Sequence, residues 1–438
     1  MASKGHELIP SAKRLIKSLR DMGYDFSQAV ADVVDNSIEA NATVVAIDVE
    51  FDGDDSWVRI ADNGRGMKPD ELREAMRYGA DRDYADDDLG KFGLGLKTAS
   101  MSQCQCLSVA SRWNRERSDI VAYSWDLAHI EKTNRWEIIP LERNGIGPAI
   151  RLPLKDTIGT VVLWQRLDRI LGYQHPYGEM ARKRMSSMCR DLELHLGMVF
   201  QRFLSGEVSG KRLKILLNNN EVKPWDPFCQ SEAKTKKLQA VHFLVAYEGV
   251  QGEVLMQPFI LPHQEDFSSF EAFRSAGGPA NWNQQQGFYI FRAGRMIQSG
   301  GWSRLRAPDE HNKLARIAIS FSPALDEAFK INVAKMQVQL PAQIRESIRE
   351  AIVPVIKLSR EVYDRKLTMP GVNSSPPTSA EKSENISTHE GLVSERKVVS
   401  TESKSEVLTL DCWTERILAV ARPNERRVIE AVVARIKK

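Results

Sequence analysis

"ADVVDNSIEANA", residues 31–42, carries two stripes of opposite character on one helical period. Val30, Val33, Val34 and Ile38 recur at helical spacing and form an apolar face. Asp32, Asp35, Asn36 and Glu39 recur at the same spacing and form a polar one. A polar face opposite an apolar stripe is the ordinary wet side of a surface helix. It is also how the floor of a ligand site would read. The stretch alone leaves both readings open, and the choice rests on residues elsewhere in the chain.

The chain has 438 residues, enough for two or three cores. Hydrophobic residues make up 42% and charged residues 27%, the balance of a soluble globular protein. A formal charge of +3 gives no global field that selects nucleic acid or an anionic membrane. The basic runs "RWNRER" (112–117), "ARKRMSSMCR" (181–190) and "SGKRLK" (209–214) are local, and most such runs are solvated faces. Five cysteines, at 104, 106, 189, 229 and 412, are odd in number and lack zinc or redox spacing. Cys104 and Cys106 alternate within "SQCQCLSVAS" (102–111), a strand-like run, and are expected to point with its small core residues. The N-terminus "MASKGHELIPSAKRL" has no apolar signal core, and no run is long enough to cross a bilayer. A cytoplasmic protein with reduced thiols is expected.

Helices are expected over about 9–22 and 26–40, followed by strands 43–51 and 56–62 joined by the turn "DGDD". A helix over about 69–78 opens at Pro69, the polar loop "GADRDYADDDLG" spans 79–90, and "GLGLKTAS" (93–100) starts another helix. Strands are expected near 103–111, 119–126, 134–140, 147–152 and 159–165. The fold class is α/β (α+β), one helical layer on one mixed sheet. A helical connector, 171–205, leads to a second mixed α/β domain, 206–366, that ends in a long helix from about 341. Residues 367–409, rich in Ser, Pro, Glu and Lys, read as a disordered linker, and 410–438 as a helical segment.

Two motifs carry chemistry. Strand 56–62 runs into "DNGRGM" (62–67), where Gly64 and Gly66 permit a tight turn and close approach of a flat ligand. A carboxylate at Asp62 suits an exocyclic amine, although Asp-Asn-Gly is also a common plain turn. "LGKFGLGLKTAS" (89–100) places Gly90, Gly93 and Gly95 before a helix start that carries Lys97, Thr98 and Ser100. Backbone N–H groups, the helix dipole and a lysine charge together make an anion site. A bare mobile loop has the same composition, and the spacing matches neither the P-loop nor the dinucleotide fingerprint.

The order of these pieces, over about residues 10–170 and closing with "GTVVLW" (159–164), resembles the GHKL superfamily of ATPases: gyrase B subunit, heat-shock chaperone, histidine kinase and MutL proteins. "FGLGLKTASMS" is most similar to the microrchidia (MORC) group and its prokaryotic relatives. The resemblance implies a GHKL two-layer sandwich that binds ATP and Mg²⁺. Asn36 would coordinate the metal, a hard-ligand role that suits magnesium. Asp62 would read the adenine amino group, with Gly64, Gly66 and Thr160 completing the pocket and Met67 packing on the ring. Residues 79–92 would be a lid hinged on Gly79 and Gly90; Gly93, Leu94, Gly95, Lys97 and Thr98 would hold the phosphates. Asp32 falls where the family carries a water-activating glutamate, one methylene longer. The polar stripe of the opening stretch then becomes the floor under the triphosphate, with Asp35 and Glu39 as bystanders. Binding with slow hydrolysis is expected, which suits a switch.

The second region resembles the transducer domain of gyrase, MutL and MORC proteins. Lys335 in "FKINVAKMQVQLP" (329–341) would return a charge to the γ-phosphate, a catalytic role alongside Asp32. In "GFYIFRAGRMIQSGGW" (287–302), Arg292 and Arg295 would hold the strand pair or meet nucleic acid. The implied function is an ATP-gated clamp that forms a homodimer on ATP and acts on DNA or a DNA-processing complex. The alternative is a chaperone-like partner-binding switch with no nucleic acid role. A histidine kinase is disfavoured, because His6 lies outside any periodic dimerisation helix.

Overall fold

The computed structural model describes residues 8–21, 23–79, 95–115, 120–142, 144–172, 175–279, 281–331 and 338–365. Expectations for the lid beyond Gly79, for Gly90, Gly93, Leu94 and Lys335, for the linker and for the segment 410–438 lie outside the described residues.

Helix α1 (Ala12–Arg20) leads to α2 (Phe26–Glu39), which starts where the Asp25 carboxylate accepts from Gln28 N at 2.8 Å. Strands β1 (Val44–Glu50) and β2 (Trp57–Asp62) pair antiparallel, with Val45 opposite Asp62. Pro69 opens α3 (Pro69–Met76), and Glu71 accepts from Lys68 N at 2.9 Å. There follow α4 (Gly95–Met101), β3 (Cys106–Arg112), β4 (Ile120–Asp126), α5 (Leu127–Thr133), β5 (Ile139–Pro140), α6 (Pro148–Arg151) and β6 (Gly159–Gln165). Next are α7 (Glu179–Val199), α8 (Gln201–Leu204), β7 (Lys214–Leu217) and β8 (Asn220–Glu221). The first sheet has the order β5-β4-β3-β6-β2-β1-β7-β8. It is mixed, because β7 runs parallel to β1 while the other pairs are antiparallel.

One face of this sheet carries the helices. Val30, Val34, Ile60, Val109, Trp164, Leu192 and Ile215 share one core, and Phe26 meets Trp164 edge-on at 6.2 Å. The other face, with Ala61, Ala110, Val161 and Leu163, is covered by Ile146, Ile150 and Leu154. This is the expected mixed α/β class, consistent with a GHKL two-layer fold.

The second sheet is built from β9 (Lys236–Lys237), β10 (Val241–Tyr247), β11 (Val250–Ile260), β12 (Gly287–Arg292), β13 (Arg295–Ser299) and β14 (Ala315–Phe321). Its order is β10-β11-β14-β12-β13, with β9 beside β11. The short α9 (Phe270–Ala276) precedes β12, and α10 (Ala342–Tyr363) lays Ile344, Ile348, Ile352 and Val355 on one face. Phe228, Phe259, Tyr289 and Phe291 pack the other. Strand β12 is buried at every position, which is why it reads as an unbroken apolar run and not as an alternation.

Three expectations differ from the structure. Residues 148–151 are a helix and not a strand: Pro148 takes the first helical position, and Ile150 caps the sheet's outer face. Cys104 lies in the turn before β3, its thiol near the Ser100 carbonyl, while Cys106 begins the strand. Residues 214–221 join the first sheet, because the long crossover through α7 delivers β7 parallel to β1. Among the described residues no helix is long and apolar enough to cross a membrane.

The two-residue turn between β12 and β13, Ala293 (φ 47°) and Gly294 (φ 87°), has the positive φ values of a tight hairpin. Arg292 at its root donates from Nε and Nη2 to the two Asp326 oxygens, each at 2.7 Å, with both residues buried. Removing one partner of a buried pair strands the other charge. Asp326→Ala is therefore expected to cost about 3–5 kcal/mol in urea unfolding. Asp266→Ala, which breaks the exposed pair with Arg365, is expected to cost no more than about 1 kcal/mol.

Candidate functional site

The polar stripe on α2 is not a wet surface. Asp32 is 4% exposed and Asp35 1%, whereas Asn36 is open to solvent. The Tyr24 hydroxyl donates to Asp32 Oδ2 at 2.9 Å. Burial, followed by the Asp32 charge, pushes the Tyr24 phenol far up, so it remains a donor. From the second sheet, Arg295 Nε donates to Asp35 Oδ1 at 2.8 Å, and Nη2 lies 3.5 Å from Asp32 Oδ1. Asn36 Nδ2 donates to the Asp32 carbonyl at 3.0 Å. That bond fixes the amide and leaves Oδ1, a hard neutral acceptor, as the end available to a cation. The first residue of α4 abuts this floor, since a Cβ added at Gly95 would stand 3.6 Å from Asp32 Oδ2.

A second cluster lies at the end of β2. Register puts Asp62 opposite Thr160 on β6, and Thr160 opposite Ser111 on β3. Asp62 Oδ1 accepts from Gly64 N at 2.8 Å and Thr160 N at 3.3 Å; Oδ2 accepts from Ser37 Oγ at 3.1 Å. Burial raises the Asp62 pKa, and these three donors oppose the rise. Ser111 Oγ donates to the Gly159 carbonyl at 3.0 Å, lies 3.1 Å from Thr160 Oγ1, and accepts from Met67 N at 2.8 Å. The half-buried Met67 side chain packs on the core beside them. A carboxylate flanked by hydroxyls at a strand end can accept from a flat heterocycle's amine and hydrogen-bond its ring nitrogens.

The helix that follows the Gly-rich stretch contributes two buried polar groups. Thr98 is fully buried, and its Oγ1 has no hydrogen-bond partner among the described residues. Lys97 Nζ donates to the Ala75 carbonyl in α3 at 3.0 Å, and burial pulls its pKa down to about 8. The structure therefore brings Asp32, Asn36 and Gly95 together, and separately Asp62, Gly64, Gly66, Met67 and Thr160. Ser37, one residue after Asn36, links the clusters. Lys97 is anchored on α3.

Several residues of these clusters are not legible in the sequence. Tyr24 reaches Asp32 from 8 residues before it, Ser37 meets Asp62 across 25 residues, Ser111 is aligned with Thr160 by strand register, and Arg295 meets Asp35 across 260 residues. Asp35, expected to be a bystander, instead forms the shortest bond to Arg295. Arg292 and Arg295 are 2% and 4% exposed, so their guanidinium groups are out of reach of a phosphate backbone. Arg112 of the first basic run is likewise buried, donating to the carbonyls of Leu154 and Lys155.

Among the described residues, no group of three or more His, Cys, Asp or Glu is arranged to hold a metal. Asn36 Oδ1 is a single hard ligand of the kind that magnesium accepts beside water and phosphate oxygens. Within the pocket, Gly159 has φ +152°, and a Cβ there would collide with the Asp62 carbonyl. Gly79 has φ +68°, and among the described residues no atom lies within 4 Å of a Cβ placed there. Gly79→Ala is expected to cost about 1 kcal/mol from backbone strain alone. Gly159→Ala adds a backbone collision and is expected to cost at least about 3 kcal/mol in the same unfolding assay.

Residues 24–160 match the family model described as histidine kinase-, DNA gyrase B- and HSP90-like ATPase. A stretch of 103 residues is 35% identical to the DNA mismatch repair protein MutL of Enterobacter sp. (strain 638), covering 22% of this chain and 17% of that protein. MutL of Klebsiella pneumoniae (strain 342) shares 35% over the same length, 22% of this chain and 16% of its own. MutL of Escherichia coli (strain K12 / DH10B) gives 35%, 22% and 17%. The chain thus spans under a fifth of the length of these curated relatives. Together the family match and the likeness to MutL support the GHKL superfamily, and with it an ATP-binding domain, for the N-terminal region.

Proposed function

We propose that the chain is a Mg-ATP-dependent ATPase of the GHKL type, nearest in kind to prokaryotic MORC-like proteins, that works as a nucleotide-gated switch or clamp. The observation that carries this reading is the pair of carboxylates buried on α2 beside an exposed carboxamide and the start of α4. An ordinary surface helix has no reason to bear the desolvation cost of two acids.

In this reading Asn36 holds Mg²⁺, which supplies neutralising charge to the triphosphate. Asp62 accepts from the adenine amine, with Thr160, Gly64, Gly66 and Met67 around the ring. Gly90, Gly93, Leu94, Gly95, Lys97 and Thr98 serve the phosphates, and the buried hydroxyl of Thr98 gains the partner it lacks. Asp32 draws a proton from the attacking water. Its short side chain sets a slow rate, and Lys335 adds a second charge at the γ-phosphate. ATP closes the lid and pairs two copies of the chain. The likeness to a DNA mismatch repair protein favours a role on DNA or a DNA-bound complex, in the cytoplasm. A chaperone-like switch without nucleic acid is the second reading, favoured by the near-neutral charge and the burial of Arg292 and Arg295.

Asn36→Ala is expected to abolish Mg-dependent ATP binding, read by fluorescence titration with a labelled analogue. Unchanged affinity there would overturn the reading. Asp32→Asn is expected to keep the binding and cut turnover by about 10²-fold or more, the share that a positioned base contributes.

A further inference from the structure

We propose that Arg295 is the positioning residue for Asp32, so that the water-activating carboxylate is set in place only while the second sheet is docked on α2. The inference rests on the nucleotide reading of α2 and adds to it the element that controls turnover.

The geometry is asymmetric. Arg295 gives its strong bond, 2.8 Å from Nε, to Asp35, and only a 3.5 Å contact from Nη2 to Asp32. Asp35 therefore anchors the guanidinium, and the guanidinium orients Asp32 from one side while Tyr24 orients it from the other.

The hairpin makes Arg295 a reporter of the second domain. The two-residue turn sets Arg292 and Arg295 opposite each other. Arg292 is clamped back into its own domain by Asp326, while Arg295 leaves it, passing the Phe200 ring at 5.9 Å. A shift of the second sheet relative to α2 moves the guanidinium that faces Asp35 and Asp32. A rigid tie of this kind gives a partner bound to the second domain a physical route to the hydrolysis rate.

The test uses the full chain with Arg295→Met, Arg295→Lys and the double variant Arg295→Met/Asp35→Asn, which removes one charge of each sign and keeps the fold testable. Mg-ATP affinity by calorimetry is expected to hold within about threefold in all of them, because the lost interaction acts only on the reacting water. Turnover is expected to fall by about 10²-fold in both Met variants and to recover in part with Lys, which keeps a charge between the carboxylates. Without nucleotide, amide exchange at 292–296 and 32–36 is expected to quicken in Arg295→Met. Turnover unchanged in the Met variants, affinity falling in step with turnover, or wild-type turnover no higher than that of Asp32→Asn would each overturn the assignment. Failure of the wild-type chain to bind ATP would instead overturn the underlying nucleotide reading.

Discussion

Two carboxylates buried on one turn of α2 constrain everything built around them. A charge removed from water needs a donor, an opposite charge or a ligand, and the structure supplies the first two from opposite ends of the chain. Tyr24 comes from the residues just before α2, and Arg295 from the hairpin of the second sheet. The second domain is thus tied into the electrostatics of the first.

The same economy governs the pocket at the end of β2. Asp62 is half-buried, and three donors from Gly64, Thr160 and Ser37 hold it in place. Each donor arrives by a different route: a tight turn, a strand partner, and the helix that also carries Asn36. The two clusters therefore cannot move independently. Whatever lies across both, from β2 to the start of α4, meets one preformed surface. A rigid, partly desolvated floor of this kind favours ligands that bring their own charge and cation.

How far the sequence could be read depended on the range of each signal. Helices α2, α3 and α10 and strands β1, β2, β3, β4 and β6 of the first sheet announce themselves through local periodicity, caps and Pro69. Asp32, Asn36 and Asp62 stand out only through the order of motifs, which resembles that of the GHKL superfamily. Arg295 could not be assigned its place, because nothing near residue 295 states that it meets residue 35. Ser111 and Ser37 look like ordinary small residues until strand register aligns them with Thr160 and Asp62. The helix at 148–151 was missed because a short apolar run does not state its period, and Pro148 decides it only as a helix start. The partner of Asp35 could not be read either, because it is 260 residues distant.

The burial of these acids makes sense if a nucleotide and a divalent cation complete the site. Titration calorimetry of the full chain with ATP, in magnesium and then in excess chelator, tests this most directly. One nucleotide per chain, bound saturably in magnesium and lost with chelator, is the predicted result. No heat and no bound adenine nucleotide under either condition would contradict it.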